Sequence, residues 1–376
     1  MSSYRRIKHV DVNEYTGFVM RLLDNPGEIW WHAYDQQISN SARSVLLVLH
    51  SMNGKCSFDR LEKAYVALDA HRGQKYGYAI RPGSWRSALR ELTDAFVSST
   101  GSGLTFINPS VGDLMNKVLN SEPENAVDIV SAATEFQQYQ RVCTIARSSD
   151  ANELHSYLNS NAQKLAPSIE ILAGLNQSYK YETSELWFTQ SLDYRVATLL
   201  EFADSSQSPA ILKIAVDLMG KEMAEDDSMD VDPRLKILNI IENAGWEKIQ
   251  NLYNLHSALK AKMLNPDTSH AWSAEIFSIA EYSIDNLLWS DADEKSFEAL
   301  CEYYFSDCFT DELSGCSEIQ EFESLAQTVQ EIGEANGWDV SAELSSIHEP
   351  LDEMTRQEEM RADATQGEWR GGGQWW

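Results

Sequence analysis

A short extended segment that ends in Asn-Pro-Ser is the feature of this chain that most constrains its fold. An amphipathic segment, residues 84–96, precedes it and continues into a polar turn and a β-type segment. Pro109 restricts Asn108 to extended backbone, so a strand is predicted to end there. Ser110 is then predicted to cap a new helix, with Asp113 in the acidic position of a capping box. Helix, hairpin and capped helix in this order are typical of the end of a winged-helix domain.

The residues before this segment supply the other parts of such a domain. Residues 41–52 are strongly apolar and rich in leucine, which favours a buried helix. Residues 57–68 have one apolar face behind a serine N-cap and predict a second helix. The Gly-rich residues 69–82 predict a loop, and residues 97–107 predict a hairpin around a Gly-Ser-Gly turn. Three helices followed by a hairpin predict a winged-helix domain over residues 40–120.

The remaining residues predict a mainly α-helical protein with three further parts. Residues 1–39 form an N-terminal helical segment, and residues 121–348 form an α-helical array of antiparallel pairs, in which a repeat solenoid is one arrangement. Residues 349–376 form an acidic, flexible tail that ends in Trp-Trp. Candidate helices of the array are 125–147, 151–164, 167–175, 184–203, 208–224, 233–243, 245–264, 270–289, 293–306, 317–336 and 338–348.

Charge is distributed unevenly along the 376 residues. The formal net charge is −28, but residues 1–120 have a balance of +3 and the remainder a balance of −31. An acidic body repels nucleic acid and anionic membranes. Nucleic acid is therefore expected only at the N-terminal third, and an acidic surface that simply maintains solubility is the plainer interpretation.

Neither an export signal nor a membrane span is indicated by the sequence. No apolar run approaches the ~20 residues that cross a bilayer, and the basic N-terminal segment lacks the apolar core of a signal peptide. The five cysteines are odd in number and include no Cys-x-x-Cys pair, which is typical of a reducing compartment. We therefore predict a cytoplasmic protein without a membrane partner.

The motifs of common enzyme and metal sites are missing from the sequence. The nearest approaches to a P-loop, Gly54-Lys55-Cys56-Ser57 and Gly220-Lys221-Glu222, lack its first glycine and its hydroxyl in place. The last three cysteines are not spaced as in a zinc site, and the acidic run 222–232 lacks the glycine and terminal glutamate of a calcium loop. We therefore predict no catalytic residue, no cofactor and no metal, and hence a non-enzymatic chain.

A candidate contact face lies on the helix predicted at residues 84–96. Trp85, Arg86 and Arg90 could face phosphates or bases if this helix enters a major groove. The alternative is that the whole domain packs between other domains, because two arginines are few for a DNA reader, which usually has a basic stripe.

The tryptophans near the end of the chain form a second candidate site. Trp369, Trp375 and Trp376 could fill a partner's pocket as a docking peptide. They could equally fold back on the helices of their own chain.

These residues, taken together, resemble a known family. The sequence is similar to the region downstream of the P-loop core in STAND-class NTPases, in particular the novel STAND group of bacterial defence proteins, in which an Asn-Pro-Ser-Val-x-Asp motif closes a winged helix that leads into a helical sensor. The resemblance covers about residues 15–145. It rests on the sets Leu23-Asp24-Asn25-Pro26, Ile29-Trp30, His32-Ala33-Tyr34, Ala42-Arg43, Leu46-Leu47, Leu49, Ser87-Ala88-Leu89-Arg90-Glu91-Leu92, Phe96 and Phe106-Ile107-Asn108-Pro109-Ser110-Val111 with Asp113.

The resemblance implies a sensor region that lacks the NTPase domain of the family. The sequence contains no counterpart of the family's nucleotide-binding core, so ATP binding and Mg²⁺ dependence do not carry over. It implies either a detached sensor working beside a separate NTPase or a remnant of a longer protein. The leading hypothesis is a non-enzymatic sensor of a bacterial defence system that binds a protein trigger or partner through its helical array. The alternatives are a winged-helix transcription regulator with an acidic helical effector domain, and an enzyme of unrecognised type.

Overall fold

The chain is mainly α-helical and divides into two compact units. The computed structural model describes residues 27–101, 103–175, 178–180, 187–189, 192–225, 231–246, 249–265, 273–284 and 288–371. One unit extends to Met219 and the other begins at Gly220. The helix predicted at residues 12–24 lies outside the described residues.

The first unit begins with helices arranged around a small antiparallel sheet. Its strands lie in the order β1-β3-β2, with β3 paired to both neighbours. The central helix α2 forms the core, because its residues from Val45 to Leu49 are all fully buried. The elements are α1 (Gly27–Gln36), α2 (Asn40–Ser51), β1 (Lys55–Ser57), α3 (Phe58–Tyr76), α4 (Ser84–Leu92), β2 (Val97–Thr100) and β3 (Gly103–Phe106).

The hairpin and the helices of this part are confirmed, and one strand was missed. The hairpin lies within one residue of its predicted position. Strand β1 pairs Cys56 with Leu104, and at three residues it is too short for alternating burial to reveal it. Helix α4 ends at Leu92 rather than at Phe96, because Thr93 has extended backbone and Asp94 a positive φ of 61°.

Helix α3 is longer than predicted, because a distant helix holds its second half. Residues 69–76, predicted as loop, are helical. They lie against helix α6 (Glu124–Ala132), whose buried Asp128 accepts hydrogen bonds from Lys75 Nζ at 2.5 Å and from the Tyr76 hydroxyl at 2.9 Å. Arg72 Nη1 also donates to Asn125 Oδ1 at 3.0 Å. These partners are some fifty residues away in the sequence, beyond the range of local pattern.

The Asn-Pro-Ser segment starts helix α5 (Pro109–Ser121) with a different cap from the one predicted. Asn108, not Ser110, is the N-cap: its backbone is extended, and its side chain accepts from the Ser110 backbone N–H at 2.9 Å. The Ser110 hydroxyl donates to Asn108 Oδ1 and accepts from Trp30 Nε1 at 3.0 Å. Asp113 is exposed. An asparagine oxygen reaches the first free N–H groups as well as a serine oxygen does, and Pro109 at the first helical position lacks one of them.

The rest of the first unit is helical with one short hairpin. The predicted helix 125–147 is divided at Ala133, where the backbone is extended and Gln138 Oε1 accepts from the Thr134 N–H at 2.8 Å. The predicted break at Pro167 is absent, because buried residues on both sides hold one continuous helix. The elements are α6, α7 (Phe136–Ala146), α8 (Asn152–Ala173), β4 (Ser178–Lys180), β5 (Trp187–Thr189), α9 (Leu192–Ser206) and α10 (Pro209–Glu225), the last crossing into the second unit.

Each regular element described in the second unit is a helix. The predicted helix 293–306 changes at Tyr304 into a π-helical turn, Tyr304–Cys308, in which the Phe309 N–H donates to the Tyr304 carbonyl. The α-helices are α11 (Val231–Asn243), α12 (Gln250–Met263), α13 (Ser273–Ile284), α14 (Asp291–Tyr303), α15 (Phe309–Gly315), α16 (Ile319–Asn336) and α17 (Ser341–Gly371).

The acidic tail predicted from residue 349 has mostly exposed side chains over the residues that are described. Between Asp352 and Arg361 every side chain except Met354 is exposed. Its backbone nevertheless continues α17 as far as Gly371. Among the described helices, none combines the length and the apolar character that a bilayer span requires.

Candidate functional site

An open, partly apolar groove lies between helices α3 and α4. It encloses about 460 Å³. Val66 on α3 is 56% exposed and Ile80 in the connecting loop 49% exposed, which is unusual for aliphatic side chains facing the same space. Trp85 forms the opposite wall, half-buried, with its ring 5.2 Å from that of Tyr65. Arg86 completes the rim on one side.

Hydrogen bonds behind the groove keep its walls in place. The carboxylate of Asp69, which is 2% exposed, lies 3.1 Å from the hydroxyls of both Tyr65 and Tyr78. The Tyr65 hydroxyl also lies 2.9 Å from Ser84 Oγ. Ser84 is the first residue of α4, after Gly83 at the N-cap position, and its hydroxyl takes part in this network. Burial and the nearby Asp69 carboxylate raise the pKa of Tyr78 to about 12, so this hydroxyl stays neutral and can donate.

Two glycines shape the loop that carries Ile80. Gly77 ends α3 with a φ of 72°, a conformation that glycine adopts without strain. The loop then folds back on α3 so closely that a Cβ at Gly73 would lie 3.1 Å from Ile80 Cγ1 and 3.2 Å from the Tyr78 carbonyl oxygen. The apolar side chain is therefore held at the groove by backbone geometry.

Three arginines lie on α4 and in the loop before it, and none of them forms an ion pair within the described part of the chain. Arg86 and Arg90 are exposed, as predicted, and so is Arg81 in the loop. Arg90 Nε donates only to the Arg86 carbonyl oxygen, at 3.3 Å, among the described contacts. The adjacent Glu91 is engaged elsewhere: its carboxylate accepts from the Ser39 N–H and hydroxyl at 2.9 and 2.7 Å.

Arg81 was missed, although the sequence contains a signal for it. Residues 71–90 carry five Lys or Arg and no Asp or Glu, in a chain with a net charge of −28. Counting charge over this window, rather than over the predicted helix alone, would have included Arg81. Trp85 differs from its prediction, because it packs against Tyr65 as a groove wall and does not extend freely beside the arginines.

The other predicted site residues are not part of this groove. Asn108, Pro109 and Ser110 form the junction of α1 with α5, where Trp30 also packs against Phe96 with ring centroids 5.2 Å apart. Trp375 and Trp376 lie outside the described residues, as does the side chain of Trp369. The Asn-Pro-Ser motif therefore serves the local structure, whereas Trp85, Arg86 and Arg90 belong to a surface.

The described residues contain no group of three or more His, Cys, Asp or Glu side chains placed to hold a metal ion. Comparison with protein-family models, with curated proteins and with solved structures gives no match. The groove and the arginines are therefore interpreted from their own chemistry.

Proposed function

We propose that this chain is a non-enzymatic, cytoplasmic protein-binding component of a bacterial defence system, and that its α3–α4 groove receives an apolar segment of a protein partner. The observation that carries the proposal is the exposure of Val66 and Ile80 opposite Trp85. Aromatic side chains and arginine are enriched in protein interfaces, where they fill apolar pockets. The order α2-β1-α3-α4-β2-β3 supports a winged-helix assignment for this part, and the STAND resemblance supports the sensing role.

The groove is tested by placing a charge on each of its exposed aliphatic positions. We expect Val66→Asp and Ile80→Asp to weaken capture of a specific partner from phage-infected lysate at least tenfold, because an apolar segment of the partner would cover the carboxylate and remove its hydration. Retained proteins are quantified by mass spectrometry. Ile171→Asp is the matched control, since Ile171 is a 68% exposed aliphatic residue elsewhere in this unit.

Two results decide the matter. A protein held by the wild-type chain and by Ile171→Asp, but lost from both groove variants, supports the proposal. Equal retention by all four chains contradicts it.

A nucleic-acid function is the second candidate, and three exposed arginines that form no ion pair with any described residue favour it. Helix α4 carries Arg86 and Arg90 on its exposed side, and the hairpin β2–β3 follows it, as in winged-helix DNA readers. Against it, Glu62 lies at the same groove and the chain as a whole is strongly acidic. A regulator would therefore depend on this one face.

Salt dependence of duplex binding tests the second candidate. If three phosphates are neutralised, the logarithm of the association constant falls with the logarithm of salt with a slope of about −3. We expect Arg81→Gln/Arg86→Gln/Arg90→Gln to remove nearly all of this slope in a fluorescence anisotropy titration with a 20-bp probe, a length of about two helical turns. The exposed Arg356→Gln is the control. Absence of wild-type binding at low salt excludes the regulator.

A further inference from the structure

A second cavity, of about 690 Å³, lies in the second unit. One wall is a face of α14 and the π-helical turn, and the other is the turn that leads from α16 into α17. The rings of Phe305 and Trp338 line it, and the buried Cys301 and Val340 lie beneath them. Its size is in the range of sites that bind small groups.

The π-helical turn holds Phe305 at the cavity. Tyr304, fully buried, donates its hydroxyl to Glu312 Oε2 at 2.6 Å. Glu312 also accepts from the Ser273 N–H and hydroxyl, at 3.1 and 2.7 Å. Phe305 packs against Tyr304 and Phe309 with ring centroids 5.0 and 6.1 Å apart. Because π-turns are rare and often occur at functional sites, this wall is a built feature and not a loose surface.

Trp338 is held just as firmly on the opposite wall. Its ring stacks on buried Phe297 at 6.2 Å with an interplanar angle of 29°. The backbone N–H of Trp338 donates to the Gly333 carbonyl oxygen at 2.9 Å. This bond follows Gly337, whose left-handed backbone ends α16. Any side chain at Gly333 would collide with Val340 at 2.6 Å, so the turn lies directly against the helix.

Every charged side chain that lines this cavity is acidic. None of the lining residues is Lys, Arg or His. Hydrogen bonds from the Ser341 hydroxyl and N–H hold the pKa of Asp339 below its ordinary value, so it is ionised at neutral pH. The Oε2 atom of Glu343 is shielded from solvent and has no hydrogen-bond partner among the described residues. The carboxylates are those of Glu298, Glu302, Asp339 and Glu343.

We propose that this cavity binds the guanidinium group of an arginine side chain presented by a partner protein. Two aromatic rings attract a cation placed over their faces, and a planar guanidinium stacks on such rings while donating two parallel hydrogen bonds to a carboxylate. Glu343 is the lining carboxylate that we expect to accept from the guanidinium. This site is separate from the α3–α4 groove and stands whether or not the groove binds a protein.

The chemistry of the lining distinguishes arginine from other cations. A divalent metal is disfavoured because no group of three or more His, Cys, Asp or Glu side chains placed to hold a metal ion is found among the described residues. Free arginine carries an α-ammonium and an α-carboxylate, both strongly hydrated, whereas an arginine within a polypeptide brings neither charge to the cavity. A quaternary ammonium could sit between the rings but cannot donate a hydrogen bond to Glu343.

Titration of the full chain with blocked amino acids tests the site. We expect N-acetyl-arginine amide to shift the Trp338 indole resonance saturably, with a dissociation constant on the order of 1 mM. N-acetyl-citrulline amide, of the same shape without the charge, is expected to bind at least tenfold more weakly. Equal binding of the two would overturn the proposal. Tighter binding of free arginine or of choline than of the blocked arginine would overturn its assignment to a partner's side chain.

Matched variants assign the effect to the cavity. Glu343→Gln is expected to weaken the binding of N-acetyl-arginine amide at least fivefold. Glu349→Gln, a substitution at an exposed position of the same helix, is expected to leave this binding unchanged. Both keep the side-chain size, so circular dichroism is expected to show folded proteins. Loss of affinity in Glu349→Gln to the same degree, or none in Glu343→Gln, would contradict a specific site. The salt dependence of the interaction is expected to be weak in Glu343→Gln relative to the wild type.

Discussion

Acidification from pH 7 to pH 4 is expected to lower the free energy of unfolding of the first unit by about 3 kcal/mol through His50 alone. His50 lies on α2 and is 1% exposed. Burial, with a further contribution from the positive charge of Arg141, lowers its pKa to about 4, although the hydrogen bond to Asn116 acts in the opposite direction. The neutral ring is thus the form that the folded core accepts.

The direction follows from where the proton binds. In the unfolded chain His50 has an ordinary pKa near 6.5, whereas in the folded chain it remains neutral down to about pH 4. Between these values the unfolded state binds more protons, so stability rises with pH. The contribution is complete above pH 6.5 and is lost as pH falls toward 4.

Urea unfolding at several pH values measures this effect. His50→Gln, whose neutral amide can still reach Asn116 at the position of the 2.9 Å hydrogen bond, is expected to lose the pH-dependent difference of about 3 kcal/mol. His348→Gln is the control, because His348 is exposed on α17. If the free energies of unfolding of the wild type and of His50→Gln fall by the same amount from pH 7 to pH 4, His50 is not the group responsible.

Replacement of Gly103 by alanine is expected to destabilise the first unit by about 3 kcal/mol. Gly103 opens β3 and pairs with Ser57 of β1. A Cβ at this position would collide with the Cys56 carbonyl oxygen. It would also lie 3.0 Å from the Cys56 carbonyl carbon and 3.1 Å from Ser57 Cα. These are backbone atoms of the neighbouring strand, which cannot rotate away as a side chain can.

Hydrogen exchange of the β3 amides provides the measurement. A loss of about 3 kcal/mol corresponds to exchange faster by roughly 100-fold. Gly112→Ala is the matched control, because its Cβ would meet only Phe106 Cδ2 at an ordinary 3.9 Å. Since Gly112 lies inside α5, that change is expected to stabilise the protein by up to about 1 kcal/mol. Unchanged exchange in Gly103→Ala would mean that β1 can move away from β3 at little cost.

Local pattern predicted most of the fold because the strongest signals here are local. The apolar run 41–52 and the Gly-Ser-Gly turn each specify an element within about ten residues, and both elements are present. The second half of α3 could not be predicted this way, because its polar, Gly-containing sequence becomes helical only where Asp128 accepts from Lys75 and Tyr76. Pro167 was read as a break for the same reason, since the packing that outweighs it comes from elsewhere in the fold.

The candidate surfaces were less accessible to sequence reasoning than the fold. Trp85, Arg86 and Arg90 were found because they share one predicted helix. The groove itself depends on Val66 and Ile80, two ordinary aliphatic residues whose exposure no pattern indicates. The cavity in the second unit brings together side chains from residue 298 to residue 343, and a π-turn shifts the helical spacing within that range. Only the tertiary structure places these groups side by side.

The polar bonds that join α3 to the helices after it bear on how this protein can be dissected. The Arg60 side chain on α3 donates to Glu135, the residue before α7. Gln138 Nε2 donates to Ser51 Oγ on α2 at 3.2 Å, and Asp128 on α6 accepts from Lys75 on α3. A fragment cut near residue 120, at the end of the predicted winged helix, would leave Arg60 and Lys75 facing water in place of carboxylates and would strip one side of α2. The shortest piece that keeps the α3–α4 surface in its native setting therefore extends well into the helical array.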